Sequence, residues 1–402
     1  MKISLKKLGP GFLFAGAAIG VSHLVQSTRA GADFGFGLLW ALVLINAIKY
    51  PFFEFGPRYA SATGESLLEG YKKMGKGVLA TYYVITFATM FTIQTAVTIV
   101  TAGIASSIFG FGSTIFWTSI ITGICFVILL LGKYKVLDSL MKVIVISLTI
   151  STLIAVAFAT SSAPTIDFNQ MIPTETAAIA FLIAFMGWMP APLDISIWHS
   201  IWTVEKKKIN PSITPKQSRF DFNVGYITTT ILAIGFVCLG ALVMFGSGEG
   251  FSSNGTQFAK QLIGMYTQSL GDWAKLVIGV AALTTMFSTT LTTLDGSPRV
   301  MHQTTELLTG RKLNRGYLFW LVLLVLGTLA IFLFFISEMG LLIKIATILS
   351  FLTAPFYALM SYLTVTGKHT PKAARPKLAL KIFSQLSILV LIAFSIWYLT
   401  TV

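Results

Sequence analysis

The chain contains one pattern twice, as FLFAGAAIGVSH at residues 12–23 and as FLIAFMGWMPAP at residues 181–192. Both copies begin with a similar apolar tetrapeptide, and the second lies 169 positions after the first. Each copy then becomes irregular, at Gly20 in the first and at Met189-Pro190 in the second. Because proline lacks a backbone N–H and glycine relaxes the backbone, we predict two helices that are broken in the middle.

The composition indicates that these helices lie in a membrane. Of the 402 residues, 55% are hydrophobic and only 11% are charged. An ordinary soluble domain has roughly 25% charged residues, so a soluble enzyme is excluded. A membrane helix needs about 20 mostly apolar residues. Eleven stretches qualify, near residues 9–28, 36–58, 78–108, 113–132, 137–160, 177–201, 223–246, 273–294, 315–336, 339–364 and 379–401.

The net charge of +14 indicates orientation rather than a nucleic-acid partner. With loops assigned alternately to the two sides, 23 of the 29 Lys and Arg residues share the side of the N-terminus, and three (Arg29, Lys260 and Lys275) lie on the other. The positive-inside rule then predicts a cytoplasmic N-terminus and an outside C-terminus. We expect an integral multi-pass protein of a plasma membrane, and specifically of a bacterial inner membrane, that contacts membrane lipid.

Spans 1 and 6 enter the membrane from opposite sides, as two inverted repeats require. We predict a single transmembrane domain over residues 1–402, with repeats at about 9–160 and 177–364 and an additional helix at about 379–401. Non-helical backbone survives in a membrane only against protein or a water-filled cavity. Broken helices of this kind form the substrate site of secondary transporters, where free carbonyls suit a cation and half-helix N-termini suit an anionic group.

The sequence resembles the NRAMP divalent-metal transporters over roughly residues 8–365. The motifs that carry the resemblance are Gly9-Pro10-Gly11-Phe12-Leu13, Ala30-Gly31-Ala32-Asp33-Phe34-Gly35, Leu38-Leu39-Trp40, Asn46, Arg58, Thr63-Gly64, Met189-Pro190, Phe222-Asn223 and Pro355-Phe356. The resemblance implies an all-α integral membrane protein with the LeuT-type fold, in which two inverted five-helix repeats are followed by an eleventh transmembrane helix. It also implies transport by alternating access.

The resemblance fails where the family binds its metal. The family's span-1 motif Asp-Pro-Gly-Asn reads Gly20-Val21-Ser22-His23 here, so its metal-binding Asp is Gly20 and its Asn is His23. In span 6, Met189 is kept, but the family's His is Ala191. The family's span-10 Gln corresponds to Thr353. This chain therefore looks like a relative that keeps the family scaffold around a rewritten site.

We expect the substrate site between the two breaks, at Gly20, Ser22, His23, Met189, Ala191, Asp194 and Thr353. One ligand set for a metal cation is His23, Met189 and Asp194, since imidazole and thioether suit soft or borderline metals. Losing the span-1 Asp removes charge that a desolvated divalent ion needs, so a neutral, zwitterionic or anionic small molecule such as an amino acid is an alternative. A hydrated magnesium-like ion is another.

Other polar residues in the spans are candidates for ion coupling. LeuT-type carriers use span-8 hydroxyls in a sodium site, which indicates Ser288 and Thr289. Hydroxyls that bond to the preceding helical turn are the alternative. Lys49 and Glu54 are charged residues within span 2 and candidates for a proton path. We expect H⁺ or Na⁺ as the coupling ion and no other cofactor.

Other classes of membrane protein fit the sequence less well. It has no His-Glu-x-x-His or Gly-x-Ser-x-Gly motif, so an enzyme is not expected. A channel would show a repeated filter or charged rings, whereas paired broken helices favour alternating access. A non-transporting sensor on the same scaffold is a further alternative, although no added signalling domain is visible. We therefore predict an ion-coupled secondary transporter, monomeric, with a small-molecule or ion substrate.

Overall fold

The computed structural model describes residues 9–131, 134–162, 168–247, 250–252, 254–334 and 339–401. In these ranges the chain is nearly all helical. The α-helices are α1 (Pro10–Ala18), α2 (Thr28–Phe34), α3 (Leu39–Thr63), α4 (Leu67–Met74), α5 (Lys76–Phe109), α6 (Thr114–Leu130), α7 (Tyr134–Ser162), α8 (Thr176–Trp188), α9 (Ile195–Ile209), α10 (Pro215–Val243), α11 (Gly255–Leu270), α12 (Ala274–Thr309), α13 (Gly316–Phe334), α14 (Met339–Thr366) and α15 (Leu378–Thr401).

Each of the eleven predicted spans overlaps one or two of these helices, although span 1 was predicted to end near residue 28 and continues to Phe34. Span 1 consists of α1 and α2, and span 6 consists of α8 and α9; the other spans are α3, α5, α6, α7, α10, α12, α13, α14 and α15. Among the described residues, six helices are by themselves long and apolar enough to cross a membrane: Lys76–Phe109, Pro215–Val243, Lys275–Thr309, Gly316–Phe334, Gly340–Thr366 and Leu378–Thr401.

Two helices were not predicted, because they lie between spans and are not apolar enough to be one. α4 begins at a capping box in which Ser66 and Glu69 each bond to the other's backbone. α11 begins after Asn254, whose side chain accepts two backbone N–H groups of its first turn. Span 8 was predicted to end near residue 294, whereas α12 continues to Thr309. Hydropathy marks where a helix leaves the apolar layer and not where it ends.

Buried apolar side chains surround the two broken spans. The largest cluster includes Phe14 of α1, Phe53 of α3, Phe185 of α8 and Phe222 of α10, all with no exposed surface. The rings of Phe14 and Phe53 meet edge to face, with centroids 5.1 Å apart. This packing fixes spans 1, 2, 6 and 7 against one another close to both breaks.

Spans 1 and 7 approach each other closely enough for their backbones to touch. A Cβ atom on Gly31 of α2 would lie 2.1 Å from the carbonyl oxygen of Val237 in α10, and one on Gly11 would lie 2.1 Å from another α10 carbonyl. Gly225 and Gly240 of α10 face carbonyl oxygens of span 1 in the same way, each at 2.2 Å. Only glycine fits at these positions, so both halves of span 1 lie directly on α10.

Asp221 of α10 also holds the beginning of α1. Its carboxylate accepts hydrogen bonds from the backbone N–H of Gly9 at 3.0 Å and from that of Gly11 at 2.9 Å. Pro10, between them, has no N–H to satisfy. The first N–H groups of a helix lack intrahelical partners, so a side chain of span 7 caps span 1.

Candidate functional site

Span 1 is broken after Ala18. The chain resumes as a π-helical turn, Ser22–Ser27, before α2 begins. The last carbonyl groups of a helix have no partner within it. Here the hydroxyl of Thr289, on α12, donates to the carbonyl oxygen of Ile19 at 2.9 Å. Span 8 therefore supplies a donor to the carbonyl end of α1.

Span 6 is broken between Trp188 and Ile195. Residues 189–194 are not helical, and the Met189–Pro190 peptide bond is cis. The prolines predicted this break, because neither Pro190 nor Pro192 can donate a backbone hydrogen bond. The break leaves carbonyl groups free at the end of α8.

Lys49 of α3 fills the carbonyl end of α8. Its Nζ donates to the carbonyl oxygens of Met186 at 2.8 Å and Gly187 at 2.7 Å, with Ala191 at 3.5 Å. The side chain has no exposed surface. A buried ammonium group is costly unless its donors are satisfied, and here three carbonyl oxygens satisfy them.

A small cavity of about 30 Å³ lies between the two breaks. Spans 1, 3, 6 and 8 contribute to its wall, and Gly20 lies in it beside Thr289. Its polar or aromatic side chains are Ser22, Asp194, Thr289, Thr293, Trp188 and Trp198. The two breaks therefore line one small cavity, whose wall is largely apolar apart from these groups.

Asp194 supplies the charge of this cavity. It precedes the first residue of α9 and is 7% exposed. Its Oδ1 atom is buried and has no hydrogen-bond partner among the described residues. The Lys49 ammonium is close enough for the two charges to interact. The family's carboxylate in span 1 is thus absent, and a carboxylate from span 6 faces the same space.

The imidazole of His23 is engaged elsewhere. Its Nε2 lies 3.0 Å from the carbonyl oxygen of Thr229 in α10, which can only accept, so Nε2 carries a proton. Its Nδ1 lies 2.7 Å from the hydroxyl of Ser22. That hydroxyl is also 2.8 Å from the Ala18 carbonyl oxygen. His23 joins span 1 to span 7 and does not line the cavity.

Met189 and Thr353 likewise lie outside the cavity wall. The sulfur of Met189 accepts a hydrogen bond from the Ser27 hydroxyl at 3.7 Å. The Thr353 hydroxyl donates to the carbonyl oxygen of Leu349 in its own helix at 2.9 Å. The structure therefore brings Asp194, Ser22 and Gly20 of the expected set to the cavity, and Ala191 to Lys49.

Span 10 reaches the site through a residue that the sequence analysis missed. The indole Nε1 of Trp188 donates to the hydroxyl of Ser350 at 2.8 Å. Ser350 is one helical turn before Thr353, so the two share a face of α14. The sequence signal that could have identified Ser350 is its spacing, because it lies three residues before Thr353 on the same helix.

The coupling candidates occupy three different environments. Ser288 of α12 is fully buried, and its hydroxyl has no partner among the described residues. Glu54 forms an ion pair with Arg58 at 2.7 Å and with Arg219 at 3.7 Å. Thr289 and Lys49 satisfy the two helix breaks, as described above. Glu54 thus joins spans 2 and 7 at a distance from the cavity.

A second cavity, of about 280 Å³, lies where α2, α8 and α14 meet. We call it the vestibule; its polar lining residues are Gln26, Arg29 and Lys344. The Nε atom of Arg29 lies 3.9 Å from Asp33, and in the part of the chain that the structure describes it is buried without a hydrogen-bond partner. Two cationic side chains and one nearby carboxylate make the vestibule basic.

Two broken helices that pack at their breaks around a small cavity are typical of one class, the membrane transporters of the LeuT-type fold. Within this class, the profile described as "Natural resistance-associated macrophage protein-like" (Nramp) matches residues 11–401. The chain belongs to this family of integral multi-pass membrane transporters, and the resemblance inferred from its sequence is confirmed.

Relatives and solved structures agree with this assignment. An uncharacterized protein of Pasteurella multocida is 39% identical, over 91% of this chain and 86% of its own length. The divalent metal cation transporter MntH of Yersinia pestis is 23% identical, over 72% of this chain and 71% of its own.

Among solved structures, a manganese transporter of Eremococcus coleocola has a TM-score of 0.74 at 13% identity, over 96% of this chain and 84% of its own. MhsT in complex with L-phenylalanine has a TM-score of 0.67 at 13% identity, over 96% and 98% of the two chains. At such identities the likeness shows the fold alone, and the fold is that of the sequence prediction.

Proposed function

We propose that this protein is an ion-coupled secondary transporter that binds a metal cation beside Asp194, in the cavity between the broken helices. The observation that carries the proposal is Asp194, a carboxylate that lines the cavity and whose Oδ1 atom is buried without a hydrogen-bond partner among the described residues. A carboxylate oxygen in an apolar layer needs a donor or a cation. A cation that enters the cavity would satisfy it.

The size of the cavity favours a bare ion. Holding one water molecule takes roughly 10–15 Å³ of such volume. A cavity of about 30 Å³ therefore accepts an ion or about two water molecules. An amino acid is larger than this cavity.

The donors at the cavity favour a hard cation. A carboxylate, hydroxyl groups and backbone carbonyls present oxygen, which suits Mg²⁺, Ca²⁺ and Mn²⁺. The softer donors expected from the sequence, His23 and Met189, do not line the cavity. The manganese transporter and MntH named above support a metal substrate by analogy, and the carboxylate of Asp194 supports a hard cation such as manganese or magnesium in particular.

Proton or sodium coupling is part of the proposal. The unpartnered Ser288 hydroxyl and the Thr289 hydroxyl lie on the same helix, and Thr289 contacts the carbonyl end of α1. Hydroxyls and carbonyls together suit Na⁺ as well as a hydrogen-bonded water that relays protons. Metal uptake that neither a sodium nor a proton gradient alters would overturn the coupling and leave the proposed metal substrate unaffected.

Reconstitution into proteoliposomes tests the transport function. We expect saturable uptake of Mn²⁺ or Mg²⁺ that a proton or sodium gradient drives above equilibrium, which also separates a transporter from a channel or a sensor. Asp194→Asn should lower this uptake at least about tenfold. Asp272→Asn, at an exposed position, is the matched control. Absence of saturable metal flux, or equal uptake by both variants, would contradict the proposal.

The basic vestibule favours a second candidate, a zwitterionic or anionic small molecule such as an amino acid. Arg29 and Lys344 attract anionic groups and repel free divalent cations. Counterflow with a mixture of radiolabelled amino acids tests this candidate. Accumulation that Arg29→Gln abolishes, together with no metal flux, would replace the metal by an organic substrate.

We also propose a monomer in a bacterial inner membrane, with a cytoplasmic N-terminus and an outside C-terminus, in contact with lipid. The distribution of basic residues supports this orientation. A periplasmic alkaline phosphatase fused to the C-terminus should be active, and a fluorescent protein there should be dark. The reverse pattern would overturn the orientation.

A further inference from the structure

Lys49 is a fully buried charged residue whose hydrogen-bond partners among the described residues are backbone atoms. The three acceptors of its Nζ are the carbonyl oxygens of Met186, Gly187 and Ala191, at 2.8, 2.7 and 3.5 Å. Met186 and Gly187 lie in the last turn of α8 and Ala191 in the break that follows it, 137 to 142 positions further along the chain. A lysine of span 2 thus completes a structure in the opposite repeat.

The C-terminal end of α8, where its carbonyl groups lack helical partners, favours a bound cation. The last carbonyl groups of a helix lack partners, and the helix dipole places partial negative charge there. Met186 and Gly187 lie in the last turn of α8, which ends at Trp188. In an apolar layer, such free carbonyls are tolerated only when protein, water or an ion satisfies them.

The Lys49 ammonium meets this need as a bound ion would. It offers three donors, and three oxygens surround it. Its side chain is buried from solvent, so a free ion has no room at the same oxygens. It also places a positive charge close to Asp194, which partly compensates this carboxylate before any substrate enters.

We propose that Lys49 is a built-in cation: its ammonium group takes the place of a bound monovalent ion at the carbonyl end of α8 and holds the break in span 6 in shape. Lys49 is a positioning residue in this view, since it acts through the backbone of the break. The proposal concerns the resting shape of span 6, so it is independent of the substrate and the coupling ion.

Removing the ammonium group should create a demand for a free cation. We would purify the full-length wild type, Lys49→Ala and Lys49→Arg, and measure Tm in N-methylglucamine, sodium, potassium and methylammonium salts at equal ionic strength. We expect the Tm of Lys49→Ala to fall by about 5 °C or more in N-methylglucamine. Small cations should restore at least half of the loss, with saturation. Wild type and Lys49→Arg should respond alike to the salts, and the cation dependence of Lys49→Ala is measured relative to theirs.

A matched control separates this effect from general salt effects. Lys216→Ala removes an exposed lysine of α10, and its Tm should follow the wild type in every salt. A Lys49→Ala protein whose Tm is the same in all four salts would overturn the proposal, because Lys49 would then only fill space.

If Lys49→Ala does not fold, Lys49→Met replaces it in the experiment, because methionine keeps about the length of the lysine side chain without its charge. Equal Tm values for Lys49→Met and Lys49→Arg in every salt would contradict a built-in cation. Because Tm requires no transport, the absence of metal flux would overturn the proposed function and leave this result interpretable.

Discussion

Thr289 occupies the space beside Gly20: a Cβ atom on Gly20 would lie 2.8 Å from Cγ2 and 3.0 Å from Oγ1 of Thr289. Real Cβ atoms essentially never come closer than 3.0 Å to such atoms. By the resemblance, Gly20 stands where the family has its metal-binding Asp. A side chain at position 20 and the side chain of Thr289 therefore compete for the same space. A carboxylate restored at position 20 alone would clash with Thr289, and a smaller residue at position 289 alone would leave a cavity.

Restoring the family's carboxylate tests this contact between position 20 and Thr289. We expect Gly20→Asp to lower the free energy of unfolding by about 1–3 kcal/mol, because overpacking a closed site costs that much. The double variant Gly20→Asp/Thr289→Ala should recover most of it and bind Mn²⁺ more tightly than the wild type. Thermal unfolding and calorimetry with Mn²⁺ measure the two effects. Thr289→Ala alone is the control, and a fully stable Gly20→Asp protein would refute the contact.

The contact between spans 1 and 7 makes a second prediction. Gly31→Ala brings a methyl group onto the Val237 carbonyl oxygen, so we expect a loss of about 2 kcal/mol or more in the free energy of unfolding. Gly123→Ala in α6 is the matched control, since a Cβ there meets nothing within 4 Å. That variant should gain up to about 1 kcal/mol from helix propensity. Equal stability changes in the two variants would show that spans 1 and 7 do not touch.

The cap on α1 makes a third prediction, with a local readout. Asp221→Ala removes the acceptor of two backbone N–H groups, which should cost about 1–2 kcal/mol. Hydrogen exchange should become faster in the first turn of α1 and stay unchanged in α15. An unchanged exchange rate in α1 would mean that another group caps it.

Glu54 makes a fourth prediction. Removing one partner of a buried ion pair costs about 3–5 kcal/mol, so Glu54→Gln should clearly lower Tm. Glu205→Gln breaks an exposed pair with Lys208 and should cost at most about 1 kcal/mol. A Glu54→Gln protein as stable as Glu205→Gln would contradict the ion-pair role. A change in the pH dependence of uptake would in addition support the proton path that the sequence suggested.

The sequence predicted the broken helices because the signals are local. Pro190 and Pro192 act on their own backbone, and Gly20 relaxes its own turn. The eleven spans follow from hydropathy for the same reason. Asp194 was within reach because it closely follows the prolines. The Nramp assignment needed motifs of a few residues only.

The partners of the site residues could not be predicted. The sequence marks Lys49 as a charge within a span, but its acceptors are carbonyl oxygens, which every residue carries. His23 looked free to bind a metal because nothing near it in sequence indicates the Thr229 carbonyl on α10. Backbone acceptors leave no trace in side-chain patterns, so packing alone determines which side chains they satisfy.

The glycine contacts and the Asp221 cap have a mechanical consequence. Both halves of span 1 rest on α10, one on each side of the break, and the carboxylate fastens the free end of the first half. Because both halves of span 1 are held against α10, we expect spans 1 and 7 to move together when the cavity opens to either side.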